Sequence, residues 1–111
     1  MATVANIFID QGSDFSNVVT VSGTTGAPIN LTGYTAASQI RKSYSSTVFY
    51  NFTTTIFAPT TGKVRIQLTA GNSELIPPGR YLYDIEVTSP SGSKTRVVEG
   101  IATVTPQITK I

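Results

Sequence analysis

PPGRYLYDIEVTSPSG, residues 77–92, is the stretch whose reading decides the fold. It leaves a Pro-Pro-Gly turn, alternates Tyr81, Tyr83, Ile85 and Val87 with Leu82, Asp84 and Glu86, and stops at a Ser-Pro-Ser-Gly turn. Strict alternation between turn residues predicts a half-buried strand over Arg80 to Thr88, with the tyrosine, isoleucine and valine side chains inward. The spacing Gly79-x-Tyr81-x-Tyr83 is that of a tyrosine corner: the first ring folds over the corner and its hydroxyl bonds a backbone group a few residues upstream, expected near Asn72 to Leu75. Tyr83 then takes the position where antibody domains place a core cysteine.

The same period-two grammar runs along the rest of the chain. Ala5 to Ile9 predicts a first strand and Phe15 to Val21 a second, with Phe15, Val19 and Val21 on one face. Residues 23–33 are a long turn-rich connection anchored by Ile29 and Leu31. Tyr34 to Arg41 is a third strand and Thr47 to Phe52 a fourth, after which Ile56 and Phe57 lead into a Pro-Thr-Thr-Gly turn. Lys63 to Thr69 is a fifth strand, with Val64, Ile66 and Leu68 inward. Gly71 to Leu75 reads equally as a helical turn or a loop, and Arg80 to Thr88 pairs with Thr95 to Val104 as a last hairpin. About seven strands on a chain of this size predict an all-β fold, an immunoglobulin-like antiparallel β-sandwich, as a single domain over residues 1–111. Register in the last hairpin stays open between Val97 and Val98. The inward set Val98, Gly100, Ala102 and Val104 is preferred because the other buries Glu99; it leaves Arg96 inward at the rim beside Asp84, unless a bulge at Glu99-Gly100 intervenes.

Composition narrows the function classes. The chain is 40% apolar and only 13% charged, with a formal charge of +2 from eight basic and six acidic residues. Charge that sparse predicts a surface largely covered by neighbours. The basic residues are scattered, so nucleic-acid binding is not expected. The absence of cysteine removes disulfides, thiolate metal sites and cysteine nucleophiles together. The start MATVANIFID has no secretory pattern and no apolar run approaches a membrane span, so synthesis in a cytoplasm, with no membrane partner, is expected.

Candidate sites are few. Asp84 and Glu86, at i and i+2, share a strand face about 7 Å apart, a spacing that also suits a glycosidase-like acid pair. Nearby Arg80, Lys94, Arg96 and Arg65 favour structural ion pairs instead, Asp84 with Arg96 above all. Asp10-Gln11-Gly12-Ser13-Asp14 has oxygens either side of a glycine but lacks the distal ligands of a calcium loop, so a tight turn is expected and no metal. Asn30-Leu31-Thr32 and Asn51-Phe52-Thr53 match the glycosylation acceptor pattern by chance in a threonine-rich chain. With no histidine and no Gly-x-Ser-x-Gly elbow, no catalytic residue, enzyme activity or cofactor is expected. The aromatics Tyr44, Phe49, Tyr50, Phe52 and Phe57 gather around the hairpin beside Arg41-Lys42. Arg41, Tyr44, Phe49 and Tyr50 are therefore the candidate interface, or alternatively a stacking platform for a host surface glycan centred on Tyr44 and Tyr50.

Several stretches resemble a known family: Ile7 to Phe15, Asn30 to Lys42, Gly62 to Leu68, Pro78 to Val87, Arg96 to Gly100 and Val104 to Pro106. Together they resemble small virion structural proteins of tailed bacteriophages, of the cyanophage type, and the immunoglobulin-like N-terminal domain of phage baseplate upper proteins. The resemblance implies a virion component whose partners are other virion proteins and copies of itself. The related domain often continues into a C-terminal module, whereas this sequence stops at Ile111, so an adaptor or accessory subunit of tail, baseplate or neck is expected.

Overall fold

The alternation that predicts strands also fixes which face each one buries. A computed structural model of the chain describes residues 3–21 and 29–108. The 23–28 part of the turn-rich connection lies outside the described residues. Nine strands are described: β1 (Thr3–Val4), β2 (Ile7–Asp10), β3 (Phe15–Thr20), β4 (Thr35–Arg41), β5 (Phe49–Asn51), β6 (Thr53–Ala58), β7 (Lys63–Leu68), β8 (Gly79–Thr88) and β9 (Lys94–Thr105). They form an all-β sandwich. The larger sheet runs β1-β9-β8-β4-β5, with β2 also on β9, and the smaller runs β3-β7-β6. All pairings are antiparallel except those of β1 and β2 with β9. A 3-10 turn at Pro59–Thr61 and a short helix α1 (Ala70–Glu74) flank β7. The helical reading of the 71–75 turn therefore holds: Thr69 caps it, its side chain accepting from the Asn72 amide at 3.2 Å.

Three boundaries depart from expectation. The first strand is split at Ala5-Asn6 into β1 and β2. The fourth is reduced to β5, because the chain crosses to the smaller sheet at the buried Phe52 and continues there as β6. The bulge of the last hairpin lies at Val97, not at Glu99-Gly100: Ile85 pairs with Val98 and Glu86 with Arg96, which leaves Val97 as the extra residue. That extra residue reverses the parity of β9, so both valines are buried and Arg96 turns to the outer face instead of inward at the rim.

The core lies between the sheets. Tyr81, Tyr83, Ile85 and Val87 of β8 face Val64, Ile66 and Leu68 of β7, with Ile7, Ile9 and Ile40 at the sides. Each such burial contributes about 1.5–3 kcal/mol. The rings of Phe15, Phe52 and Tyr83 meet in series, the first pair tilted and the second edge to face, with centroids 5.8 and 6.2 Å apart.

Both tyrosine hydroxyls of β8 donate to the backbone. That of Tyr81 reaches Pro77 O at 2.5 Å and not the helical turn upstream. Gly79, at φ +144°, folds the Pro-Pro turn back over the ring, and few residues other than glycine adopt that backbone. Tyr83 donates to Ala5 O. Burial raises both phenols, Tyr83 to about 12 and Tyr81 with a further push from Tyr50, so both remain protonated donors across the physiological range.

The Tyr83 bond depends on Gly100, its direct neighbour across the hairpin. A Cβ on Gly100 would stand 2.2 Å from Ala5 O, so only glycine lets the Ala5-Asn6 kink cross β9 at that height. Asn6 Oδ1 then accepts from the Ile101 amide at 3.0 Å and restores the ladder. Gly100→Ala is expected to cost about 1–3 kcal/mol of stability. Hydrogen exchange should quicken first at the amides of Ile7 to Asp10, and unchanged protection there would refute the crossing as the attachment of the first strand.

Candidate functional site

The outer face of the larger sheet follows from register alone. Phe49 of β5 lies opposite Arg41, Arg41 opposite Leu82, and Leu82 opposite Ile101, one row across four strands. The next row is Asn51, Gln39, Asp84, Glu99 and Val4; the one beyond is Ala37, Glu86 and Arg96. On the other side of the Leu82 row stand Arg80, Thr103 and Phe8. Large apolar side chains are thus left on a solvent face, with Val4 at 70% and Phe8 at 71% exposure. Tyr44, 80% exposed, overlooks the face from the loop after β4. Leu82, Asp84, Arg96, Ile101 and Tyr44 are among the residues lining a trough of about 860 Å³.

Polar groups fix the rows. Arg41 donates through Nη1 to Ser46 O at 2.6 Å and through Nη2 to Gln39 Oε1 at 2.9 Å, with its guanidinium 4.7 Å from the Phe49 ring centroid. Arg96 bridges two acids: Nε stands 3.2 Å from Asp84 Oδ2 and Nη1 3.3 Å from Glu99 Oε2. The Val97 bulge is what delivers the guanidinium to this face. Burial, then the charge of Glu86, raises the Asp84 carboxyl above its ordinary value, against the lowering pull of Arg96 and Arg41. Asp84 and Glu86 therefore stand in neighbouring rows, with Arg96 tying Asp84 to Glu99, an arrangement suited to contact rather than to a free acid pair.

Of the candidate interface residues, Arg41, Tyr44 and Phe49 lie on or beside this face. Tyr50 does not: it pairs with Ile40 on the inner side and packs against the core. Alternation along β5 sends Phe49 out and Tyr50 in. Gly79, Tyr81 and Tyr83 belong to the corner and the core. Val4, Phe8 and Ile101 complete the face, and their sequence signal was parity, each flanked by or alternating with inward residues.

The Asp10 to Asp14 turn is committed elsewhere. Asp14 Oδ1 accepts from the Ala70 amide at 2.7 Å, Asp10 Oδ1 from Thr105 Oγ1 at 2.8 Å, and Gly12 N donates to Ser73 Oγ at 3.1 Å. The turn docks α1. Among the described residues no group of three histidine, cysteine or acidic side chains converges as for a metal, and no helix is long and apolar enough to cross a membrane.

No family model matches the chain, and no curated protein does. Among solved structures, an internalin-like protein of Listeria monocytogenes is 14% identical over 94% of this chain and 28% of its own, with a TM-score of 0.48. A family 123 glycoside hydrolase from Clostridium perfringens is 14% identical over 95% of this chain and 23% of its own, with a TM-score of 0.42. The chain thus spans about a quarter of the length of each of these structures.

The electrostatics of the face carry a prediction. Folding holds Asp84 above its ordinary 3.8, so the folded chain keeps a proton that the unfolded chain releases. The stability this adds is complete below that value and is lost as pH rises through the folded-state pKa. Asp84→Asn cannot lose it. Melting temperatures of the two proteins between about pH 3.5 and pH 7 should shift progressively in favour of the variant as pH rises; a constant difference would mean that the carboxylate is not held up by its surroundings.

Proposed function

We propose that this chain is a non-enzymatic structural subunit of a tailed-phage virion, a tail, baseplate or neck adaptor or accessory protein. It acts through protein–protein interfaces, with the outer face of the larger sheet as the principal one. The observation that carries the contact role is the row in which exposed Phe49 and Ile101 flank Arg41 and a half-buried Leu82, extended by exposed Val4 and Phe8 on strands already pinned by backbone pairing. Rigid apolar side chains ringed by arginine and acids are the make-up of a contact surface with a dry centre and polar rim. The virion setting rests on the sequence resemblance, and sparse charge suits a surface that spends its life against neighbours. Its partners are other virion proteins and copies of itself, met after synthesis in the host cytoplasm.

The glycan reading needs Tyr44 and Tyr50 side by side. With Tyr50 on the inner side of β5, Tyr44 is left without its stacking companion, so the contact reading is the better supported.

Substituting Leu82→Asp and Ile101→Asp together places two charges in the middle of the row without touching the core. The facing carboxylates should lower the melting temperature, but the variant should keep the circular dichroism of the natural chain at the temperature of infection and yet fail to enter particles when supplied to infected cells, as counted by mass spectrometry of purified virions. Normal incorporation of the folded variant would overturn the assignment of this face.

A further inference from the structure

A sheet edge is a template for another strand unless something blunts it. Among the described residues four edges are presented, and three are blunted. Strand β5 is three residues long. The β1-β2 edge is broken at Ala5-Asn6, and β6 is bulged at Phe57 and ends at Pro59. Strand β3, FSNVVT, is different: six residues in unbroken register with β7, uncharged, with no proline and no bulge.

Its free groups can be identified. The Val21 amide donates to Gly62 O, so Val19, Asn17 and Phe15 bond β7 in turn. Ser16, Val18 and Thr20 then direct their N–H and C=O groups away from the sheet, and their side chains are exposed. Beside them the sandwich is open, with a cleft of about 430 Å³ between β2 and the start of β3.

We infer that β3 pairs with β3 of a second copy of this chain, antiparallel about a two-fold axis at Val18. This rests on the reading of the chain as a self-associating structural subunit and names the surface by which copies meet. In that register Val18 lies opposite Val18 and Ser16 opposite Thr20, and the pair exchanges about six backbone hydrogen bonds. On the outer face of the smaller sheet the pairs are one β-branched and two hydroxyl pairs, combinations favourable across strands; on the inner face Asn17 meets Val19, and no charge meets its like. Two cations of β7 stand behind this edge: Lys63, opposite Thr20, donates to Thr20 Oγ1 at 3.2 Å, and Arg65 lies opposite Val18. Arg65 is drawn the other way, its guanidinium 4.5 Å from the Phe57 ring centroid. The two small sheets become one six-stranded sheet, and an isologous contact of this kind closes on itself.

Sedimentation of the purified chain across about a hundredfold range of concentration should show a monomer–dimer equilibrium. Val18→Lys sets like charges face to face at the axis and should leave a monomer with unchanged circular dichroism and a melting temperature that no longer rises with protein concentration. Val18→Cys, in a chain with no other cysteine, should form a covalent dimer under mild oxidation, whereas Val48→Cys, more exposed but on the loop before β5, should not. A natural chain that stays monomeric throughout overturns the inference, as does a Val18→Lys variant that dimerises like the natural chain. Loss of the dimer in the Leu82→Asp, Ile101→Asp protein with retention in Val18→Lys would move the copy-to-copy contact to the outer face and also overturn it. Virion incorporation that fails only in the outer-face variant, with the dimer intact, would separate the two readings.

Discussion

One inserted residue, Val97, sets the character of the whole molecule. Strands β8 and β9 are the longest pair, and everything on the larger sheet takes its facing from their register. Without the bulge, Arg96 would share the inner face with Val98, Gly100 and Ala102, and a guanidinium at the edge of the core would demand a buried partner. With it, two consecutive valines are buried at 8% and 2% exposure, and the guanidinium is handed to the outer face between two acids. The same step that completes the core therefore builds the ionic row beside the apolar one. A bulge is a local irregularity in backbone terms, yet here it decides the chemistry of an entire surface.

The first strand shows a second economy of the same kind. A strand laid parallel on β9 has no hairpin to hold it, and β2 has only four residues. What holds it is the crossing at Ala5: the missing side chain of Gly100 leaves room, the Tyr83 hydroxyl bonds the Ala5 carbonyl, and Asn6 replaces a backbone acceptor for Ile101. Tyr83 thus serves the core with its ring and the edge with its hydroxyl. Its neighbour Tyr81 does the corresponding service at the Pro77 corner, so the two hydroxyls tie both ends of the larger sheet's periphery to its central strand.

The strands and their inward faces were legible in the sequence wherever alternation was clean. Val64, Ile66 and Leu68 on β7, and Tyr81 to Val87 on β8, needed nothing beyond period two. What alternation does not carry is a change of phase. The bulge at Val97 arises because two adjacent valines both have room inside, which depends on the opposing sheet and not on the local pattern. The crossing at Phe52 is of the same type: Thr47 to Phe52 and the threonines after it read as one strand and a loop, yet the chain changes sheets within a residue. The Tyr81 acceptor is Pro77 and not residues 72–75 because the carbonyls of that turn already have donors, Asn72 O the Leu75 amide, Ser73 O the Ile76 amide and Glu74 O the Gln11 side chain. The outer face was half visible, through Leu82, Arg41, Tyr44 and Phe49, and became whole only when Ile101, Val4 and Phe8 were brought onto the same side by pairing between distant segments.

The two surfaces that remain unsatisfied belong to different sheets, and that separation has a consequence. An edge contact at β3 extends the smaller sheet in its own plane, while the Leu82 row faces away from the sandwich on the opposite layer, so occupation of one does not cover the other. A two-fold pairing at β3 closes, which limits that contact to two copies. In the proposed dimer each copy still presents its apolar row, so the pair would be bivalent toward a third protein and would gain from effective concentration when both rows engage neighbouring sites. Each row on its own can then be modest in affinity. An adaptor built this way needs little charge for steering, because its second contact is made from a partner already bound, and a sequence with only 13% charged residues is compatible with that mode of assembly.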